Sequence, residues 1–300
     1  MRTWDNTLDT AGITDPRLRD DYSRQRALVA SYDRPAYLAV RLLLPTGLVP
    51  HVIAATAFMH HTDTVLDGEP TGQHETADEW EKEVRTALSS GDSNSPVLRA
   101  LLHTISVNAR LRPRVETFMA GARADKEFQG FGDEADYQKY MDEYSLPAFM
   151  LVASLLLSPD ADPGASGQAC RAYIDGHQRL DFVNDLSEDL RDARLTIPQE
   201  TLRQHGVSRA DLEQERDTPG TRAMLESLLT RARHDLLTSR ALVEHVPAGN
   251  RSFTRALITV KILTAEAALA KGTAVLRAPA DPSRTAALRM LVREYRRRGR

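Results

Sequence analysis

Asp181, Asp185 and Asp189 recur at every fourth position in the stretch Asp181-Phe-Val-Asn-Asp185-Leu-Ser-Glu-Asp189-Leu-Arg191-Asp-Ala-Arg194-Leu-Thr-Ile-Pro198. On an α-helix this spacing sets three carboxylates along one side, each about one turn from the next. Like charges at i, i+4 oppose helix formation by roughly 0.2–0.5 kcal/mol per pair, so the row needs a cation, a basic partner or solvent. Leu180, Val183 and Leu190 interleave with the acids and give the same helix an apolar side to bury. That combination places the acids toward a cavity, where hard oxygen ligands suit Mg²⁺.

A helix of this kind needs helical neighbours, and the chain supplies them. From Arg34 to Gly68 it is mostly apolar, and Leu42-Leu-Leu-Pro45 divides it in two because proline disfavours helix at the residue before it. The second piece, about Leu48 to Leu66, ends in His60-His61-Thr62-Asp63-Thr-Val-Leu-Asp67-Gly68, with Gly68 as its cap. A charged helix is expected from Glu75 to Leu88, and Ser95-Pro96 opens a periodic segment to Phe128 that Pro113 divides. Tyr137 to Leu157 is a long apolar helix with a kink near Tyr144 imposed by Pro147, and the acid row lies on a helix from about Ser166 to Asp192. A short helix before Gly206 and two long ones, about Thr221–Val246 and Ser252–Leu276, complete the pattern. No segment alternates with the two-residue period of a strand. The expected fold is all-α, a single-domain helix bundle of seven to ten helices around a central cavity. Residues 1–22 read as a loosely attached polar arm, 23–280 as the helical domain and 281–300 as a basic C-terminal helix or tail.

Charge and cysteine content narrow the function classes. Thirty-nine basic and 42 acidic side chains leave a net charge of -3, which is no footprint for nucleic acid. The single cysteine, Cys170, cannot form an intramolecular disulfide and favours a reducing compartment. A polar N-terminus without a signal-peptide core, and no apolar run approaching about 18 residues, give the expectation of a cytoplasmic protein without a transmembrane segment.

Asp63 and Asp67 repeat the i, i+4 acid spacing more than a hundred residues before Asp181. Two acid rows facing each other across an all-α bundle make an oxygen-only site. Di-iron bundles combine such carboxylates with Glu-x-x-His pairs, and the candidate helices carry none. Prenyl-diphosphate enzymes use them to hold Mg²⁺, which neutralises the charge of the departing diphosphate. His60 and His61 are candidate general bases, and adjacent residues cannot share a helix face, so at most one points inward.

These residues resemble the squalene/phytoene synthase family of trans-prenyltransferases. Its first motif, Asp-x-x-x-Asp, is present as Asp63-Thr-Val-Leu-Asp67; of its second, Gln-x-x-Asn-x-x-Arg-Asp-x-x-Glu-Asp followed by Arg-x-x-Arg-x-x-x-Pro, Gln178, Asp185, Glu188, Asp189, Arg191, Arg194 and Pro198 are in place. Leu43-Leu-Pro45, Gly121-x-x-x-Asp125 and Tyr140 match as well, and the likeness runs from about Arg34 to Leu276. The resemblance implies that Asp63, Asp67, Asp185 and Asp189 ligate Mg²⁺, with Asp181 and Glu188 as further ligands or their supports. It implies that Arg191, Arg194, Arg41 and Gln178 contact diphosphate and that Tyr140, Tyr144 and Phe149 line a prenyl channel.

Departures from the pattern bear on the reaction. Asp181 and Asn184 replace the family's Asn and Arg, His60 replaces a common Arg, Arg34-Pro-Ala-Tyr37 replaces Ser-x-Ser-Phe, and Thr196 replaces a Tyr. Head-to-head coupling needs sites for two diphosphates, and several of these positions help the family hold the second. The implied activity is that of a relative that ionises one allylic prenyl diphosphate and alkylates a small aromatic, carbazole-like acceptor in secondary metabolism. A head-to-head squalene or phytoene synthase is the alternative, and a non-catalytic family member acting as a binding partner is the second.

Overall fold

The computed structural model describes residues 3–68, 76–123 and 128–298, and among them there are helices and no strands. They divide into two compact units interleaved along the chain. The first comprises Met1–Lys126, Pro147–Pro159 and Pro247–Phe253; the second comprises Glu127–Leu146, Asp160–Val246 and Thr254–Arg300.

In the first unit the expected arm is structured. Asp15 accepts a hydrogen bond from the Leu18 amide and Pro16 fills the first turn, so α2 runs Pro16–Tyr32, after a short α1, Trp4–Thr10. The reason it packs lies in three apolar residues too irregularly spaced to give a period. Trp4, Leu8 and Ile13 are all buried, each contributing roughly 1.5–3 kcal/mol of apolar burial. Trp4 also donates to Ser23 Oγ at 2.9 Å, and Arg19 pairs with Asp5 and Asp9.

Helix α3, Arg34–Leu43, stops before Pro45 as expected, and α4, Val49–Leu66, follows it. Gly68 adopts the left-handed conformation just beyond the end of α4. Helix α5, Ala77–Ser90, opens on a reciprocal cap between Thr76 and Glu79. Helices α6, Pro96–Val107, and α7, Leu111–Gly121, are parted at Asn108, ahead of Pro113, because proline is tolerated in the first turn of a helix. Helix α4 is buried on nearly every side by α2, α6 and their neighbours. One polar cluster lies in this core. The Tyr22 hydroxyl lies 2.9 Å from His103 Nδ1, 2.9 Å from Thr104 Oγ1 and 3.3 Å from His51 Nδ1.

In the second unit, α8, Glu134–Tyr140, passes into a π-helical turn, Met141–Ser145, and α9, Leu146–Leu156, continues beyond it into the first unit's sequence. The kink expected from Pro147 is this wide turn, since the missing proline N–H leaves a gap in the ladder one turn earlier. The acid-row helix divides in two, α10 over Pro163–Asn184 and α11 over Leu186–Arg191. Short helices α12, Gln199–Gln204, and α13, Arg209–Glu213, precede α14, Pro219–Thr238, which packs along α10. Helix α15, Ala248–Lys271, starts earlier than expected and hands over to a 3₁₀ turn, Gly272–Leu276. The basic C-terminal segment forms α16, Arg284–Arg297. The helices outnumber the seven to ten expected because several periodic stretches are cut by short breaks that hydrophobic periodicity does not register.

Candidate functional site

The first acid row ends α4. Asp63 is half-buried, Asp67 is exposed at the C-cap, and the Asp67 amide donates to the Asp63 carbonyl at 2.9 Å. Carboxylates at a helix C-terminus oppose the helix dipole, an arrangement that favours a cation there. The two histidines before them point to different neighbours, as adjacent helical residues must. His60 stacks on Tyr32 at 3.7 Å, and His61 meets Trp80 edge-on at 4.6 Å. Burial, and then the neighbouring His60, lowers the basicity of His61. Arg41 is buried, its guanidinium 5.3 Å from the Trp4 ring centre and within 3.4 Å of the Tyr37 hydroxyl.

The second acid row spans the α10–α11 junction. Asp185 occupies the break, with φ -92° and ψ 0°, while its amide still bonds the Asp181 carbonyl at 2.8 Å and its carbonyl accepts from Asp189 at 2.9 Å. The three acids therefore keep their one-turn spacing across a bend. The bend has a cause at Asn184, whose buried side-chain amide donates to the Ala280 carbonyl at 2.9 Å and accepts from the Ala280 amide at 3.1 Å.

The three acids have unlike environments. Asp181, expected as a metal ligand, is paired within the protein: Lys261 Nζ lies 3.1 Å from Oδ1 and His177 Nδ1 lies 2.9 Å from Oδ2. Burial alone would raise this carboxyl, but His177 and Lys261 outweigh it and hold it at about 2. Asp185 is exposed as a residue, yet its carboxyl is crowded by protein and pushed up to about 6, first by lost hydration and then by the charges of Asp181 and Asp189. Asp189 is raised by burial, opposed by Arg194 and by the Thr196 hydroxyl, which donates to Oδ2 at 3.2 Å. Glu188 is exposed.

The expected diphosphate contacts are partly engaged. Arg191 is exposed and donates to the Ser187 carbonyl at 3.0 Å; Arg194 lies 4.8 Å over the Phe128 ring. Gln178 accepts from Ser145 in the π-helical turn at 3.2 Å. Helix α11 closes on a Schellman motif, with the Arg194 amide bonded to the Asp189 carbonyl at 2.7 Å and the Ala193 amide to Leu190 at 3.2 Å. That motif forces Ala193 to φ 61°. Beside it, a cavity of about 300 Å³ is lined by Phe128, Phe131, Asp192, Arg194, Gln199 and Arg209, among others.

Of the expected channel residues, Tyr140 is packed among Phe128, Phe131 and Phe182 at 5.6–6.0 Å, with Tyr144 beside it at 5.5 Å. Phe149 is half-buried on α9, in the other unit. Asp125 lies outside the described residues. Lys261 and His177 are the site residues that sequence reasoning missed. His177 stands at i, i+4 to Asp181, and Lys261 is a lone cation in the apolar run Ala256-Leu-Ile-Thr-Val-Lys261-Ile-Leu, and both signals were legible.

Among the described residues no three His, Cys, Asp or Glu side chains are gathered as a closed metal cage. The oxygen-only acids, and the like charge concentrated on Asp185, fit an ion that keeps water and substrate phosphate in its shell, as Mg²⁺ does.

A model of the squalene/phytoene synthase family matches residues 29–285. The bifunctional protein CrtB/UppS of Streptomyces coelicolor is 28% identical over 210 residues, 67% of this chain and 35% of the relative. The 15-cis-phytoene synthase of Synechocystis is 25% identical over 232 residues, 72% of this chain and 67% of the relative. The chain thus spans about a third of the first curated relative and about two thirds of the second. A crystal structure of a dehydrosqualene synthase superposes with a TM-score of 0.80 at 17% identity, covering 92% of this chain and 96% of that one. Squalene synthase HpnC from Alicyclobacillus acidocaldarius gives 0.72 at 24% identity, covering 90% and 99%. At these identities the structures share the all-α fold.

Proposed function

The chain belongs to the squalene/phytoene synthase family of prenyltransferases, and from that premise we propose that it ionises one allylic prenyl diphosphate and alkylates a small aromatic acceptor. The observation that carries this reading is the use made of two positions in the second motif. Asp181 is held by Lys261 and His177, and Asn184 by the Ala280 backbone, so neither side chain is turned to a second diphosphate. The family's head-to-head reaction needs two.

In the proposed reaction the bond between the prenyl C1 and the diphosphate oxygen breaks with its electron pair going to diphosphate. An aromatic carbon or nitrogen of the acceptor attacks C1, and its proton passes to His61, or to His60. Asp63, Asp67, Asp185 and Asp189 would hold Mg²⁺, with Glu188 supporting them and Asp181 serving as counter-ion to Lys261. Bound Mg²⁺ supplies charge neutralisation for the departing diphosphate. Arg191 and Arg194 present planar, bidentate donors to its oxygens, and Arg41 and Gln178 add further donors to the diphosphate. Tyr140, Tyr144 and Phe149 would border the prenyl chain.

The test is diphosphate release from geranyl or farnesyl diphosphate, with and without Mg²⁺ and a carbazole acceptor, and mass spectrometry of the product. The expected result is a prenylated aromatic formed only when both are present. Asp63→Ala and Asp185→Ala should each lower turnover by about 10²–10³-fold with helical circular dichroism retained. Phytoene or squalene formed from prenyl diphosphates alone would establish the head-to-head reaction, which the names of the relatives favour. Absence of turnover and of Mg²⁺-dependent binding to a diphosphate analogue would leave the non-catalytic reading.

A further inference from the structure

Three of the five large apolar side chains that are exposed among the described residues lie on one helix: Leu288 at 61%, Val292 at 41% and Tyr295 at 52%. They stand at i, i+4 and i+7 on α16, which sets them in a single stripe along its outer face. Arginine borders the stripe on both sides, Arg289, Arg293 and Arg296 along one edge and Arg284 and Arg298 along the other. The opposite face is anchored to the protein. Glu294 is fully buried, accepting from Arg255 at 2.7 Å, Arg293 at 3.1 Å and Arg297 at 3.2 Å. The only carboxylate of α16 is thus turned inward, and the outward face is apolar and cationic.

We propose that α16 is an interfacial helix that docks the protein on the surface of an anionic lipid bilayer. Its fourteen residues cannot span a membrane, and no helix among the described residues is long and apolar enough to do so. Lying flat is the geometry such a helix permits, with Leu288, Val292 and Tyr295 entering the acyl boundary and the flanking guanidinium groups reaching lipid phosphates. A second copy of the chain fits the stripe poorly. Two such faces would bring their arginines together, and three side chains fall far short of the roughly 20–30 residues each partner gives a stable interface. The docking does not depend on the proposed reaction.

The test is co-sedimentation of the full chain with vesicles of phosphatidylcholine alone or mixed with phosphatidylglycerol. The partition coefficient should be at least about tenfold higher on the anionic vesicles and should fall in 0.5 M salt. Leu288→Ser with Val292→Ser should lower it about tenfold, and Arg289→Glu with Arg296→Glu about 25-fold, with thermal unfolding unchanged because all four side chains are exposed. Equal partitioning of the wild-type and serine-variant chains, or no sedimentation with anionic vesicles, would overturn the proposal. So would a dimer, seen by light scattering, that the serine variant dissolves.

Discussion

Ala193 shows how a single residue carries strain next to the acid row. It holds the left-handed conformation that closes α11, at a cost of roughly 1–2 kcal/mol for a residue with a Cβ. Ala193→Gly should therefore stabilise the protein by about 0.5–1 kcal/mol, after the larger chain entropy of glycine is deducted, and thermal unfolding measures it. At Asp181 the same scale concerns charge. Lys261→Met strips a half-buried carboxylate of its cation, and Asp181→Asn strips the cation of its carboxylate, so each should destabilise alone. The double variant should recover about 1–2 kcal/mol of the summed loss, the coupling expected of residues in direct contact. Additive losses would mean that the pair is not formed in solution. Spacing made the acids legible in the sequence, as it did His177 one turn before Asp181, and Lys261 stands out as a lone cation in an apolar run, but its pairing with an acid eighty positions earlier is encoded in no local pattern.

Helices pack where side chains allow it, and Gly176 allows the approach of α10 to α14. A Cβ at that position would meet the Ala232 carbonyl oxygen at 2.7 Å and the Leu236 amide nitrogen at 2.8 Å. These are backbone atoms of a long helix and cannot step aside. Gly176→Ala should cost about 1–3 kcal/mol or more, read as a shift in the denaturant midpoint, although alanine favours an isolated helix. Element positions were largely legible from apolar period, proline and capping residues, as at Asp15-Pro16, Leu44-Pro45 and Ser95-Pro96. The break at Asp185 was not, because it arises from Asn184 binding a distant backbone and involves no helix-breaking residue.

Across the whole molecule, acid sensitivity should come from the core of the first unit. Burial, and then the charge of His103, lowers His51 from 6.5 to about 4. The unfolded chain therefore takes up this proton first, and stability falls as pH drops from about 6.5 to about 4, by roughly 3 kcal/mol in all. Above pH 7 the contribution is complete. His51→Gln should flatten that part of the pH profile measured by denaturant unfolding, and an unchanged slope would place the sensitivity elsewhere. The all-α class was legible at this scale, and the division into two interleaved units was not, since it follows from contacts between segments far apart in sequence.

The clasp between Asn184 and Ala280 makes the acid row answerable to the far end of the chain. A chain shortened to end before Ala280 keeps every acid and every arginine of the second motif. It leaves the buried amide at the bend with neither of its partners, a loss of about 1–3 kcal/mol focused on the residue that precedes Asp185. Trimming the C-terminus for expression or crystallisation would thus act as a mutation of the candidate site without changing one of its residues.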